Sequence, residues 1–304
     1  MKTRPGYSSR RVFLEQGAAW LAVTGGMAAA ADAPSSDGWQ IGCYTRPWDK
    51  FELGVALDGI AEAGYRYAGI MTAKGKSWVV ITPTTTPEEA QRIGDEVRRR
   101  GLRPLSVYGD FSVAESTAEG VRQLTRLVEN CAACGAPHLL LGGTGEEKLF
   151  AAYYQAIAEV CPIAESRGLR LTIKPHGGLN ATGPQCRKAI ERVGRKNFGL
   201  WYDPGNIFYY SDGALDPVQD CATVDGLVMG MSVKDFLPPK EVDVTPGTGR
   251  VDFRKVFARL KQGGFRKGPL IVECLTRSEQ AAAITAEARK ARLFLEELTK
   301  DTRL

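Results

Sequence analysis

The chain predicts an α/β fold, a single closed (β/α)8 barrel over residues 39–304. Three observations carry this. Eight β-rich runs recur along the sequence, segments with apolar residues at helical spacing lie between them, and glycines fall where those helices should stop. Eight such units in about 260 residues match the size of a closed barrel. A doubly wound open sheet fits less well, because no G-x-G-x-x-G opens an early helix.

In chain order the expected strands are Gln40–Tyr44, Tyr67–Met71, Leu105–Tyr108, His138–Leu141, Leu169–Ile173, Phe198–Tyr202, Leu227–Val233 and Leu270–Cys274. Ala90, Ile93 and Val97 mark the inner face of one helix, and Leu124, Leu127, Val128 and Cys131 that of another. Thr86-Pro87-Glu88-Glu89 reads as an N-cap, a first-turn proline and acids at the positive end of the helix dipole. Gly101, Gly135, Gly168 and Gly264 stand at expected left-handed helix ends, each followed by a strand.

Composition narrows the function classes. With 43% hydrophobic residues the chain is too apolar to be disordered, and 7 Cys in 304 residues make no disulfide scaffold. A net charge of +5 without a long basic run gives no nucleic-acid footprint. The two histidines, His138 and His176, exclude any site built from three imidazoles. His138 begins a strand at the far end of the barrel and reads as structural. Cys131 and Cys134, on one helix with no second pair, read as core packing.

The first residues read as an address. Ser9-Arg10-Arg11-Val12-Phe13-Leu14 is a twin-arginine pattern, and the mild apolar stretch Ala18 to Ala31 is too short and too weak to stay in a membrane. Residues 1–33 are therefore expected to be a signal peptide and 34–38 a linker. Export by the twin-arginine route would make the mature protein periplasmic or otherwise extracytoplasmic.

Barrel chemistry sits where strands end at the C-terminal face. Those ends carry Tyr44-Thr45-Arg46, Met71 to Lys74, Tyr108, Gly142-Gly143-Thr144-Gly145, Lys174-Pro175-His176, Asp203 to Asn206, Lys234-Asp235 and Glu273. Charged residues directly after Val/Ile/Leu runs are costly to bury unless they pair, bind a metal or do chemistry. Among the aromatics, Trp48 and Tyr108 lie near strand ends and are the expected stacking surfaces for a sugar ring. Gly142 to Gly145 could pass a phosphate or leave room for a bulky ligand.

These stretches resemble a known family, the sugar phosphate isomerases/epimerases with a xylose isomerase-like TIM barrel. The resemblance rests on Leu171-Thr172-Ile173-Lys174-Pro175-His176, on Gly199 to Asn206, on Ser232-Val233-Lys234-Asp235, on Pro246 to Phe253 and on Gly268 to Glu273. It implies a divalent metal held by a carboxylate on strand five, an Asp on strand six, a His on strand seven and a Glu on strand eight. Asp203 and Glu273 match. Lys174 takes the place of the first carboxylate, and Ser232 stands where the His usually is. A charged Lys has three donors and no lone pair, so it does not replace a carboxylate ligand.

Three readings of the site follow. A remodelled metal site would use Asp203, Glu273 and His176, with Mn or Mg favoured by its oxygen-rich ligation. Alternatively, Lys174 sits between Asp203 and Glu273, its pKa raised by them, and supplies the cation itself. In the third, the barrel binds sugar without catalysis. The resemblance implies an isomerase or epimerase acting by proton transfer next to a carbonyl, through an enediolate, with a keto-sugar lyase or hydratase as the alternative. The expected catalytic residues are His176, Lys174, Lys234 and Glu273. The expected sugar contacts are Tyr44, Arg46, Trp48, Tyr108, Asn206 and Asp235. The expected partner is a small-molecule carbohydrate, unphosphorylated if the protein is exported. Homo-oligomerisation is compatible with the resemblance, and neither nucleic acid nor stable membrane insertion of the mature chain is expected.

Overall fold

The computed structural model describes residues 38–300, so the twin-arginine pattern and residues 34–37 of the linker lie outside the described residues. The strands β1 (Trp39–Tyr44), β2 (Tyr67–Ile70), β3 (Arg103–Gly109), β4 (His138–Leu141), β5 (Arg170–Ile173), β6 (Phe198–Tyr202), β7 (Val228–Val233) and β8 (Gly268–Val272) close into a parallel barrel in sequence order. Closure comes from β1 pairing with β8, in register from Trp39 opposite Gly268 to Cys43 opposite Val272. β8 starts two residues earlier than expected and ends at Val272, which leaves Glu273 just beyond the ladder at the barrel mouth.

Outside the barrel run α1 (Leu53–Glu62), α2 (Pro87–Arg99), α3 (Thr117–Cys134), α4 (Glu147–Ser166), α5 (Gly183–Val193), α6 (Pro204–Tyr210), α7 (Pro217–Asp220), α8 (Phe253–Gln262) and α9 (Ala281–Lys300). Their ends obey local chemistry. The Thr86 side chain accepts from Glu89 N–H while the Glu89 carboxylate accepts from Thr86 N–H, a reciprocal cap on α2. Gly101, Gly135, Gly168 and Gly264 all have positive φ, as their positions require. The short α6 and α7 were not legible as separate elements. Among the described residues no helix is long and apolar enough to cross a membrane.

The core has two layers. Between strands and helices lies a continuous apolar shell that includes Trp48, Leu57, Ile60, Leu124, Leu127, Val233 and Leu295. Cys131 and Cys134 are buried in the same shell, both as free thiols. Inside the barrel a separate plug is formed by Tyr44, Met71, Leu105, Leu140, Trp201 and Ile271, all buried. Two glycines admit its aromatic rings. A Cβ on Gly69 would lie 2.2 Å from the Tyr44 ring, and one on Gly230 would lie 2.4 Å from the Trp201 ring. His138 is buried against the edge of Trp201, with ring centroids 5.3 Å apart, consistent with a structural role. The filled interior forces polar chemistry up to the strand ends.

Candidate active site

Four charged residues follow directly on the last residues of four successive strands: Lys174 after β5, Asp203 after β6, Lys234 after β7 and Glu273 after β8. The barrel converges them on one point. Lys174 Nζ lies 2.5 Å from Glu273 Oε1 and 3.6 Å from Asp203 Oδ2. Lys234 Nζ lies 2.7 Å from the same Glu273 oxygen and 3.0 Å from Asp203 Oδ2. All four are buried; Asp203 shows no side-chain surface, while Lys174 keeps 2% and Lys234 5%. Two cations facing two anions leave the centre neutral. That balance is what makes its burial tolerable, since an unpaired charge there would cost several kcal/mol.

The surroundings fix each group. Ser232, inward on β7, donates to Glu273 Oε2 at 2.7 Å. Asn206 accepts from Lys234 Nζ at 3.0 Å through Oδ1 and donates to the Pro175 carbonyl at 2.6 Å. Asp203 also caps α6, its Oδ1 accepting from Asn206 N–H at 2.9 Å. Burial pushes the Glu273 pKa up, but the Lys174, Lys234 and Arg46 cations outweigh it and hold the carboxyl well below its ordinary range. For Asp203 burial wins over both lysines, with Glu273 adding to the upward shift. Lys234 is raised, because Asp203 and Glu273 overcome its desolvation. Lys174 is lowered, by burial first and by the Lys234 ammonium beside it. The expectation that its two carboxylates would raise Lys174 is thus corrected. The same carboxylates are shared with a second lysine, and it is Lys234 that they raise.

This donor set does not fit a divalent cation. The carboxylate oxygens that would ligate it are already engaged by two ammonium groups, which repel a further cation. Among the described residues no group of three or more His, Cys, Asp or Glu side chains stands within metal-holding geometry. Asp203, Glu273 and His176 therefore do not assemble as the remodelled metal site expected of them, whether for Mn or for Mg. The physical reason is that Lys174 and Lys234 occupy its middle.

The rim is formed by His176, Tyr108, Tyr210 and Arg46. His176 is exposed and its ring faces Tyr210 with centroids 5.9 Å apart. Partial desolvation by the walls of the mouth, and then the Lys174 and Lys234 charges, lowers its pKa. Tyr108 is half-buried, and burial followed by the nearby Asp110 raises its phenol. Its hydroxyl and His176 Nδ1 both face Gly142, 3.0 and 3.3 Å from where a Cβ would stand. Arg46 donates to Asp243 at 2.9 Å and to Cys274 Sγ at 2.6 Å, which holds it at the edge between β1 and β8.

Three expected sugar contacts are corrected. Trp48 is fully buried behind the barrel, against Gly59 and Thr285, because the turn after β1 folds it under α1 and α9. Tyr44 is fully buried in the interior plug, where its hydroxyl donates to Ser106 at 3.0 Å. Asp235 neither orients Lys234 nor opens to a ligand. Its two oxygens accept from the N–H groups of Phe236, Gly247, Gly249 and Val251 at 2.8 to 3.0 Å, which pins the β7–α8 loop.

Sequence reasoning missed Asn180, whose amide donates to the Gly142 and Lys174 carbonyls at 2.8 Å each. Gly143, with φ of +89°, leaves the space this amide fills; a Cβ there would lie 2.4 Å from Asn180 Oδ1. The Gly142 to Gly145 run thus makes room for Asn180 and ties the β4 and β5 ends together. Tyr210 was also missed. It lies on α6, which had no signal of its own beyond the proline after Asp203.

A family model for the xylose isomerase-like TIM barrel matches residues 57–298. Over 116 residues, 37% of this chain and 37% of the relative, the sequence is 26% identical to the probable L-ribulose-5-phosphate 3-epimerase UlaE of Mycoplasma pneumoniae. The match thus spans little more than a third of that relative's length. Among solved structures, a D-psicose 3-epimerase determined in the presence of D-fructose aligns with a TM-score of 0.69 at 14% identity, covering 86% of this chain and 99% of that one. A xylose isomerase domain protein from Planctomyces limnophilus aligns at 0.64 with 21% identity, covering 88% and 98%. An L-ribulose 3-epimerase aligns at 0.65 with 16% identity, covering 87% and 96%.

Proposed function

Because the chain belongs to the xylose isomerase-like TIM barrel family, we propose that it is a carbohydrate isomerase or epimerase that moves a proton between carbons beside a sugar carbonyl. The observation that carries this is the buried Lys174–Asp203–Lys234–Glu273 quartet at the mouth of β5 to β8. Removing a proton beside a carbonyl leaves negative charge on oxygen, and a preorganised cation in a dry site stabilises it. Lys234, held by Asp203, Glu273 and Asn206, is the fixed cation that meets the carbonyl oxygen and the resulting enediolate. Lys174 supplies the second positive charge, and Glu273 and Asp203 are their counter-charges.

Proton transfer falls to His176, the imidazole exposed at the rim. Tyr108 and Arg46 position the sugar, and Asn206 acts by holding Lys234 in place. The epimerase names of the aligned structures and of the partial relative support a ketose as substrate. An unphosphorylated sugar accords with the twin-arginine pattern Ser9–Leu14 and the export proposed from it. Replacing Arg10-Arg11 by a pair of lysines would then retain the protein inside the cell.

Incubation with D-psicose, D-fructose or L-ribulose, followed by chromatographic separation, tests the reading. An epimer or an aldose isomer from one of them, at a higher rate than from its phosphate ester, is the expected result. Fragmentation or dehydration of the sugar would move the assignment to a lyase. Saturable binding without conversion would leave a sugar-binding barrel.

A further inference from the structure

The two lysines of the centre are not equivalent. Lys234 Nζ makes two ion pairs, with Asp203 Oδ2 at 3.0 Å and Glu273 Oε1 at 2.7 Å, and donates a hydrogen bond to a third group, Asn206 Oδ1 at 3.0 Å. Lys174 Nζ has one hydrogen-bond partner, Glu273 Oε1 at 2.5 Å, and shares it with Lys234. Its other neighbour, Asp203 Oδ2 at 3.6 Å, is a fully buried oxygen that accepts no hydrogen bond of good geometry. Lys174 therefore stands beside an acceptor with spare capacity. Its main counter-ion stays neutralised by Lys234 if it gives up its charge. Lys174 keeps 2% of its side-chain surface and Lys234 5%, whereas Asp203 has none.

We propose that Lys174 is a covalent nucleophile, forming an iminium with the ketone carbon of a ketose. This rests on the ketose reading above, and it replaces the enediolate of that reading with an enamine. Burial and the adjacent ammonium hold Lys174 below its ordinary pKa, in keeping with this role. The Lys174 ammonium first gives a proton to Asp203 Oδ2. The freed lone pair attacks the carbonyl carbon, a C–N bond forms, and the carbonyl oxygen takes the second amine proton to give a carbinolamine. Asp203 then returns its proton to that hydroxyl, which leaves as water, and the nitrogen lone pair closes the C=N bond. An ammonium and a ketone have become an iminium and a water. Positive charge on the nitrogen is conserved, so the Lys234–Asp203–Glu273 balance is undisturbed. His176 takes the proton from the neighbouring carbon, and the C–H electron pair flows to the iminium nitrogen. Reprotonation of the enamine and hydrolysis release the sugar and restore Lys174.

Borohydride trapping on the full-length protein tests this without any variant. The protein is incubated with dihydroxyacetone, D-fructose or D-psicose, reduced with sodium borohydride, and mapped by peptide mass spectrometry, with deuterium uptake into each sugar followed in parallel. The expected result is an adduct on the Lys174 peptide, its mass that of one ketose less one oxygen atom, together with loss of deuterium uptake after reduction. An adduct spread over surface lysines but not enriched at Lys174 overturns the proposal. So does deuterium uptake with no adduct, an outcome that leaves the isomerase reading intact. Neither adduct nor uptake with any of the three sugars overturns both.

Discussion

Replacing Lys234 by Met asks whether this lysine is the one that the centre depends on. The side chain keeps its length but loses the charge, leaving Asp203 Oδ2, Glu273 Oε1 and Asn206 Oδ1 without the group they share. Breaking a buried ion pair by removing one partner costs about 3–5 kcal/mol, because the remaining charge stays buried. In a domain of this size about 2 °C of melting temperature follows each kcal/mol, so a fall of about 6–10 °C is expected. Lys174→Met should cost less than half as much. Glu273 would keep Lys234 and Ser232, Asp203 would keep Lys234 and the Asn206 N–H, and an ammonium disfavoured by burial would be gone. Thermal melts followed by circular dichroism at pH 7 compare the two variants with the parent. A Lys174→Met loss equal to or greater than that of Lys234→Met would refute the assignment of Lys234 as the fixed cation.

The barrel was legible because its signals are local and repeated. The caps at Thr86 and the left-handed glycines mark helix ends, and the β-rich runs between them leave one closed arrangement of the right size. The four charges of the centre were legible for the same reason, since each follows directly on an apolar strand. What they do together was not. Lys174 and Lys234 are 60 positions apart, and only the closed barrel brings both to one Glu273 oxygen. Asp235 carried the same signal as Lys234, yet neighbouring positions beyond a strand point in different directions, and it serves the backbone of the next loop. Trp48 misled because the turn that follows β1 reverses into the helical shell. Asn180 gave no signal, since its role depends on the gap left by Gly143 on a different loop.

Further predictions concern the supports of the site. Burial, then the Arg170 charge, holds His138 at about 3, so the unfolded chain binds a proton that the folded chain refuses. Stability should therefore fall as pH drops from about 6.5 towards 3, by up to about 1.4 kcal/mol per unit for this residue, and urea midpoints for His138→Phe should show a shallower slope. Asp235→Asn turns an amide NH2 toward at least one of the backbone donors it now serves. A loss of about 2–4 kcal/mol and faster proteolysis within residues 246–251 are expected. The triple variant Lys174→Glu, Ser232→His and Lys234→Met rebuilds the ligand set implied by the family resemblance and removes both ammonium groups from its middle. Titration calorimetry should show one Mn²⁺ bound per chain, against none for the parent protein.

On the function proposed above, the lysines and carboxylates at the mouth of β5 to β8 move a sugar proton without help from a divalent cation. The most direct test is deuterium uptake from D2O into the carbon beside a ketose carbonyl, followed by NMR in saturating EDTA. Uptake unchanged by the chelator and abolished by Lys174→Met in a folded protein is the predicted result. Uptake that vanishes in EDTA and returns with Mn²⁺ would show instead that a bound metal drives the proton transfer.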